Sequence, residues 1–239
     1  MALPKIVAPK FLTEIPSTKE KVSFRPFLVK EEKALLIAME SKSEASMIEA
    51  IKDTIEACVE NKIDAGKLPF FDLEYLFLQI RAKSVGEISK FEYRHSKGIN
   101  RKGEECSGVT QVQINLEQVN VEFDENHSNK VMITDNLGAV MKYPTANEIK
   151  NIMKNMQTNK MELEMIASCI ESVFDENEVY TPDNLQEAVQ FIESLDTKQF
   201  TKIANFFETM PKLSHSVTYN CVKCGQEDTV RFEGIADFF

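Results

Sequence analysis

Apolar positions change their spacing several times along the chain, and each change predicts an element. Residues 11–15 and 22–27 alternate, with Pro16, Ser17, Thr18 and Lys19 between them. That is a small hairpin with Pro26 near its end, where a missing N–H is tolerated. A helix follows at once: Leu28, Leu35, Leu36 and Met39 share a face, while Lys30, Glu31, Glu32 and Lys33 are polar. Ser46 with Glu49 predicts a capping box opening a second helix, striped by Met47, Ile48, Ile51, Ile55, Cys58 and Val59. A third helix from about Asp72 carries Leu73, Leu76, Phe77 and Ile80, with Tyr75 and Leu78 widening the stripe. It is apolar over most of its circumference, which predicts a central position.

The period then shortens. Residues 87–93, 109–116, 119–123, 130–134 and 140–143 read as strands, with Asp135, Asn136, Leu137 and Gly138 as hairpin-turn chemistry. Residues 85–143 are thus expected to form an antiparallel β region, interrupted by a Gly- and Lys-rich loop from His95 to Cys106. Helices return with a Thr145–Glu148 capping box and Ile149, Ile152, Met153 and Met156 at helical spacing. Met161, Met165, Ile166, Cys169, Ile170 and Val173 predict the next helix. Thr181 before Pro182 reads as an N-cap for a helix lined by Leu185, Val189, Ile192 and Leu195. Asp196 or Thr197 caps a further helix bearing Phe200, Ile203, Ala204 and Phe207, which Pro211 stops. Short strands over 214–219 and 229–232 close the chain. Helices, sheet, helices and small sheet in that order predict an α+β fold rather than alternating βαβ units. The expected division is 1–83, 84–144, 145–212 and 213–239, the last a zinc-ribbon-like β tail packing back on the β region.

Composition narrows the function classes. The 239 residues are 43% hydrophobic and 28% charged, enough to bury a core without staples. A net charge of −10 disfavours broad binding to nucleic acid or anionic lipid. No apolar run reaches the roughly 18–20 residues of a membrane span, and the N-terminus does not read as a signal peptide. Five irregularly spaced cysteines argue for a reducing compartment. Enzyme signatures are missing: there is no Gly-x-Gly-x-x-Gly, Walker loop or His-Glu-x-x-His. Asp124, Glu125 and His127 make a weak acid/base cluster, and Asp175, Glu176 and Glu178 lack the pattern of a calcium loop; both read as solvated turns.

The C-terminal Cys221-Val222-Lys223-Cys224-Gly225 has the shape of a zinc knuckle, two thiolates on a tight turn with glycine behind. Structural zinc takes four ligands. A weak internal echo points to the other two. Phe91-Glu92-Tyr93-Arg94-His95-Ser96-Lys97-Gly98 lies beside Val217-Thr218-Tyr219-Asn220-Cys221-Val222-Lys223-Cys224, so that His95 stands where Cys221 stands. Gly98 occupies the second ligand position of the first copy, and Cys106 follows eight residues later. His95, Cys106, Cys221 and Cys224 would make a Cys3His zinc set tying the β region to the tail. Free thiols at a tight turn are the competing reading; a redox dithiol is disfavoured because the motif does not open a helix. Cys58 and Cys169 fall on helical stripes and read as core.

The stretch Phe24-Arg25-Pro26-Phe27-Leu28-Val29-Lys30-Glu31-Glu32-Lys33-Ala34-Leu35-Leu36 resembles a segment of the T4-like bacteriophage baseplate hub proteins, which include hub subunits and hub assembly factors. Ile80-Arg81-Ala82-Lys83-Ser84-Val85-Gly86-Glu87 is similar to that family's entry into its middle β region. Its members often carry a Cys-x-x-Cys there and another before a Gly-x-x-x-Phe-Phe-like end; this chain keeps the second, with Gly234 through Phe239, and departs at the first, with His95 and Cys106 at looser spacing. The resemblance implies a non-enzymatic role in building the hub of a contractile tail, with tape-measure and other hub proteins as partners and self-association open. It implies the host cytoplasm during assembly and the virion baseplate as locations, and for some members a chaperone-like role. A zinc-ribbon module binding nucleic acid is the alternative, against which stand the acidic charge and a basic cluster limited to Lys97, Arg101 and Lys102.

Overall fold

The computed structural model describes residues 6–95, 106–154 and 161–238. The fold is α+β. A hairpin of β1 (Phe11–Glu14) and β2 (Lys21–Phe24) leads into α1 (Val29–Glu40), α2 (Glu44–Cys58) and α3 (Phe70–Val85). Strands β3 (Ile88–Arg94), β4 (Val109–Asn115), β5 (Asn120–Glu122), β6 (Lys130–Met132) and β7 (Gly138–Met141) follow. Next come α4 (Ala146–Lys154), α5 (Met161–Ser168), β8 (Ile170–Phe174), β9 (Val179–Tyr180), α6 (Leu185–Glu193) and α7 (Thr197–Thr209). β10 (Lys212–Asn220), β11 (Glu227–Glu233) and a 3-10 turn, Ile235–Phe238, end the described chain. Met156, Lys97, Gly98, Arg101, Lys102 and Phe239 lie outside the described residues.

Helix α3 is central because its side chains are apolar on two faces. Leu73, Leu76, Phe77 and Ile80 join a core with the N-terminal hairpin, α2 and α4. Leu78 and Ala82 join a second core with Ile114, Leu116, Leu213, Phe232 and Phe238. A third core lies between α5, α6 and α7 and the sheet β6–β7–β8–β9. The two motifs that carry the family resemblance meet around this helix. Phe27 N–H donates to Ser84 Oγ at 2.9 Å. Arg25 donates to Glu31 Oε1 and to Ala57 O, both at 2.9 Å, locking the hairpin to α1 and α2. Glu49 on α2 accepts from Lys52 (2.7 Å) and from Lys150 on α4 (2.5 Å).

The strands of the middle region belong to three sheets. Among the described residues β3 pairs with β4 alone, β5 extends β10–β11 through Leu213↔Val121, and β6–β7 continue into β8–β9. The expected helix over residues 161–173 is in fact α5 followed by β8. Ile170 and Val173 are spaced for a helix, but they are β-branched, and Val140 and Ala139 offer an open edge to pair with. Gly138 permits this pairing: a Cβ there would stand 2.2 Å from the Phe174 ring, which covers it from the neighbouring strand.

Three helix starts also differ from expectation. Ser43, not Ser46, caps α2, because its side chain accepts from Ser46 N–H (3.3 Å) while Glu49 is engaged with the lysines. Asn184 caps α6, accepting from Glu187 N–H at 3.0 Å, rather than Thr181. α3 begins at Phe70 after Pro69, and buried Asp72 accepts instead from Ser17 N–H (3.0 Å) and Oγ. The capping boxes at Thr145–Glu148 and Asp196–Gln199 are formed.

Candidate metal centre

Two β-hairpins supply the site. β3 and β4 pair from Ile88↔Asn115 to Arg94↔Val109, and the next rung is His95 N–H donating to Gly108 O at 2.9 Å. β10 and β11 pair out to Asn220↔Glu227, and the next rung is Cys221 N–H donating to Gln226 O at 2.8 Å. The rungs are equivalent. Two residues before Gly108 is Cys106, and two before Gln226 is Cys224. Each hairpin therefore presents one candidate ligand where its first strand ends and one just before its second begins. The sequence echo set Cys224 against Gly98; the hairpin register sets it against Cys106. The echoed tyrosines, Tyr93 and Tyr219, meet edge to face at 6.0 Å.

One ligand atom each from His95, Cys106, Cys221 and Cys224 lies within 4.8 Å of the others. Cys106 Sγ is 3.7 Å from Cys221 Sγ, and Cys224 Sγ is 3.5 Å from His95 Nδ1. A tetrahedral ion with bonds of about 2.3 Å to sulfur and about 2.0–2.1 Å to nitrogen holds its ligands about 3.8 Å (S–S) and about 3.5 Å (S–N) apart. The spacing fits such an ion. His95, Cys106 and Cys221 are buried, and Cys224 is half-buried. All five cysteines are free.

The surroundings also suit a metal. With Nδ1 toward the thiols, His95 directs Nε2 at Asp228 Oδ2, 3.5 Å away. Carboxylates in that place orient metal-bound imidazoles and raise their basicity. The backbone N–H groups of Cys224 and Lys223 pull the Cys221 thiol below its usual range, which favours the thiolate form a metal takes. A hydrogen bond from the Gln226 backbone acts downward on Cys224, but burial and the neighbouring Cys106 and Cys221 push it up on balance. Adjacent thiolates repel one another, and a cation between them is what allows several to be ionised together.

Backbone geometry holds the knuckle in shape. Gly225 sits at φ +73° and donates to Cys221 O at 2.8 Å. Val222 N–H donates to Thr110 Oγ1 (3.1 Å) and Lys223 Nζ to Ser107 Oγ (3.4 Å), fastening one hairpin to the other. Gly108 is the close approach: a Cβ there would stand 2.7 Å from Cys221 Sγ and 2.8 Å from Lys223 Cβ. Sequence reasoning missed Asp228, Thr110 and Gly108. Each acts across strands, and only the Gly after the long loop offered a sequence signal.

The other candidates have structural surroundings. His127 is stacked with Tyr143 (5.6 Å), tilted against Phe206 (4.9 Å), and bonded through Nδ1 to Thr209 Oγ1 (2.9 Å). Burial lowers its pKa against the pull of Asp124, whose own carboxylate accepts from Asn126 N–H at 2.8 Å. Asp175 likewise accepts from Asn177 and Glu178 N–H within its turn. Cys58 and Cys169 are core residues, their thiols pushed up to about 11 and about 12 by burial.

Among known proteins, a family model described as T4 bacteriophage base plate protein matches residues 8–239. No curated protein and no solved structure matches the chain.

Proposed function

The chain belongs to the T4 bacteriophage base plate protein family, and from that premise we propose that it is a non-enzymatic structural and assembly protein of the baseplate hub. In this reading it holds helices of the tape-measure protein or of other hub proteins while the tail is built in the host cytoplasm.

The observation that carries the proposal is an incompletely buried helical groove. Of the stripe Leu28, Leu35, Leu36 and Met39, only Leu35 is buried; Leu36 and Met39 are each 53% exposed. Leu36, Met39, Met47, Phe77 and Val85 line a groove of about 470 Å³ between α1, α2 and α3. Apolar side chains left exposed together mark interaction surfaces, and methionines adapt to the shape of a partner. The occupant that fits is the apolar face of an amphipathic helix. Among the described residues no helix is long and apolar enough to cross a membrane.

The Cys3His cluster serves this reading as a structural zinc clasp between the two hairpins. Structural zinc contributes on the order of 10 kcal/mol in finger peptides. The test is co-expression with individual tail proteins followed by affinity capture, alongside elemental analysis of the purified chain. Capture of a tape-measure or hub protein, lost on Leu36→Glu with Met39→Glu, is the expected result. Binding to no tail protein would sink the assembly role, and a metal-free, fully stable chain would sink the clasp.

A further inference from the structure

Glu74 lies on α3 beneath the C-terminal turn and is only 8% exposed. Its Oε1 accepts from Ile235 N–H at 2.8 Å, its one hydrogen bond among the described residues. Gly234, at φ +67°, lets the chain pass close above: a Cβ there would stand 3.3 Å from the same oxygen. Buried carboxylates are ordinarily matched by a cation or by several donors, because a buried unpaired charge is costly. Asp72, two residues earlier on the same helix, has two donors from Ser17.

Glu74 lines a cavity of about 270 Å³. Phe70, Phe71, Pro144, Met210 and Leu213 make its walls apolar, with Lys212 and Glu233 also on the lining. Glu233 is engaged by Arg231 Nε at 2.7 Å. The volume is below the about 300–1,000 Å³ of small-molecule sites, and suits a single unbranched chain. Apolar walls accept methylenes, aromatic rings near a cation add to the attraction, and a buried carboxylate answers one positive head.

We propose that this cavity binds an alkylammonium group, its methylene stem against the apolar walls and its ammonium on Glu74. The ligand is the lysine side chain of a partner protein or a free aliphatic diamine, which share that chemistry. This site is separate from the helical groove and from the Cys3His cluster, and stands whether or not those readings do.

The test uses the full chain with three probes: Nα-acetyl-lysine-N-methylamide, 1,4-diaminobutane, and n-pentanol as a neutral stem of similar length. Binding is read from the side-chain carboxylate carbon resonance of Glu74 and from the midpoint of thermal unfolding. The expected result is a saturable shift and a raised midpoint with the two ammonium compounds, and at least tenfold weaker binding of pentanol. Tighter binding of the lysine derivative assigns the site to a partner's side chain; tighter binding of the diamine assigns it to a free diamine. Glu74→Gln keeps an oxygen for Ile235 N–H and is expected to weaken the ammonium compounds at least tenfold while leaving pentanol unchanged. Should that variant not fold, the wild-type resonance still decides. Pentanol binding as tightly as the ammonium compounds, no saturable shift with either of them, or unchanged ammonium binding by Glu74→Gln would overturn the proposal.

Discussion

Replacing Gly108 by alanine adds one methyl group at the point where the two hairpins come closest. The new Cβ would lie 2.7 Å from Cys221 Sγ and 2.8 Å from Lys223 Cβ. Ordinary contacts between such atoms are about 3.5–4.0 Å, so the knuckle has to retreat by about 1 Å. Metal–ligand bonds tolerate about 0.2 Å, and the required movement is several times that. The backbone at Gly108 is not in the left-handed region, so the effect is crowding rather than strain at φ. Overpacking of this kind costs about 1–3 kcal/mol. For a chain of this size that lowers the unfolding midpoint by roughly 2–12 °C. The assay pairs thermal unfolding with the zinc released per chain, read with a chromogenic chelator after denaturation. Gly108→Ser is expected to be at least as damaging. An alanine variant with unchanged midpoint and unchanged metal content would refute the close approach and the clasp built on it.

Other outcomes follow from the same contacts. Cys221→Ser with Cys224→Ser is expected to release the metal and lower the midpoint, and a strong chelator should lower the wild-type midpoint but not that of the double variant. Leu36→Glu with Met39→Glu should abolish capture of the partner while moving the unfolding midpoint little, since both side chains are half exposed. Glu49 is held at about 2 by hydrogen bonds from Lys150 and Lys52. Its folded pKa is therefore depressed, so its contribution is complete above the ordinary glutamate range and is lost as pH falls from about 4.5 toward about 2. Because Glu49 is more than a third exposed, that contribution is about 1 kcal/mol or less. Glu49→Gln should narrow the difference in stability between pH 6 and pH 3, measured by urea unfolding. Gly138→Ala, whose methyl would meet the Phe174 ring, should cost about 1–3 kcal/mol in the same assay.

Much of this fold was legible because its signals are local. The apolar circumference of α3, the Thr145–Glu148 capping box and the turn before β7 each depend on residues a few positions apart. The Tyr93 and Tyr219 echo was legible too, since strands of equivalent hairpins repeat their spacing. Where two periods coincide, pattern reading failed. Ile166, Cys169, Ile170 and Val173 satisfy a helix, yet residues from Ile170 onward leave it to pair with β7. The half-exposed face of α1 was equally hidden, because apolar spacing says which side chains share a stripe and not what covers them.

The sequence by itself determined the α+β order of elements, most of their positions and the four residues that gather at the hairpin ends. The tertiary structure alone decided how those residues approach. Cys106 and Cys221 are 115 positions apart, and Cys224 and His95 are 129. Contacts at such separation leave no periodicity in the chain: closing them costs entropy that only the combined burial around α3, β4, β10 and β11 offsets. Asp228 behind His95, Thr110 beneath Val222 and the bare Cα of Gly108 therefore became visible only once the two hairpins were packed together.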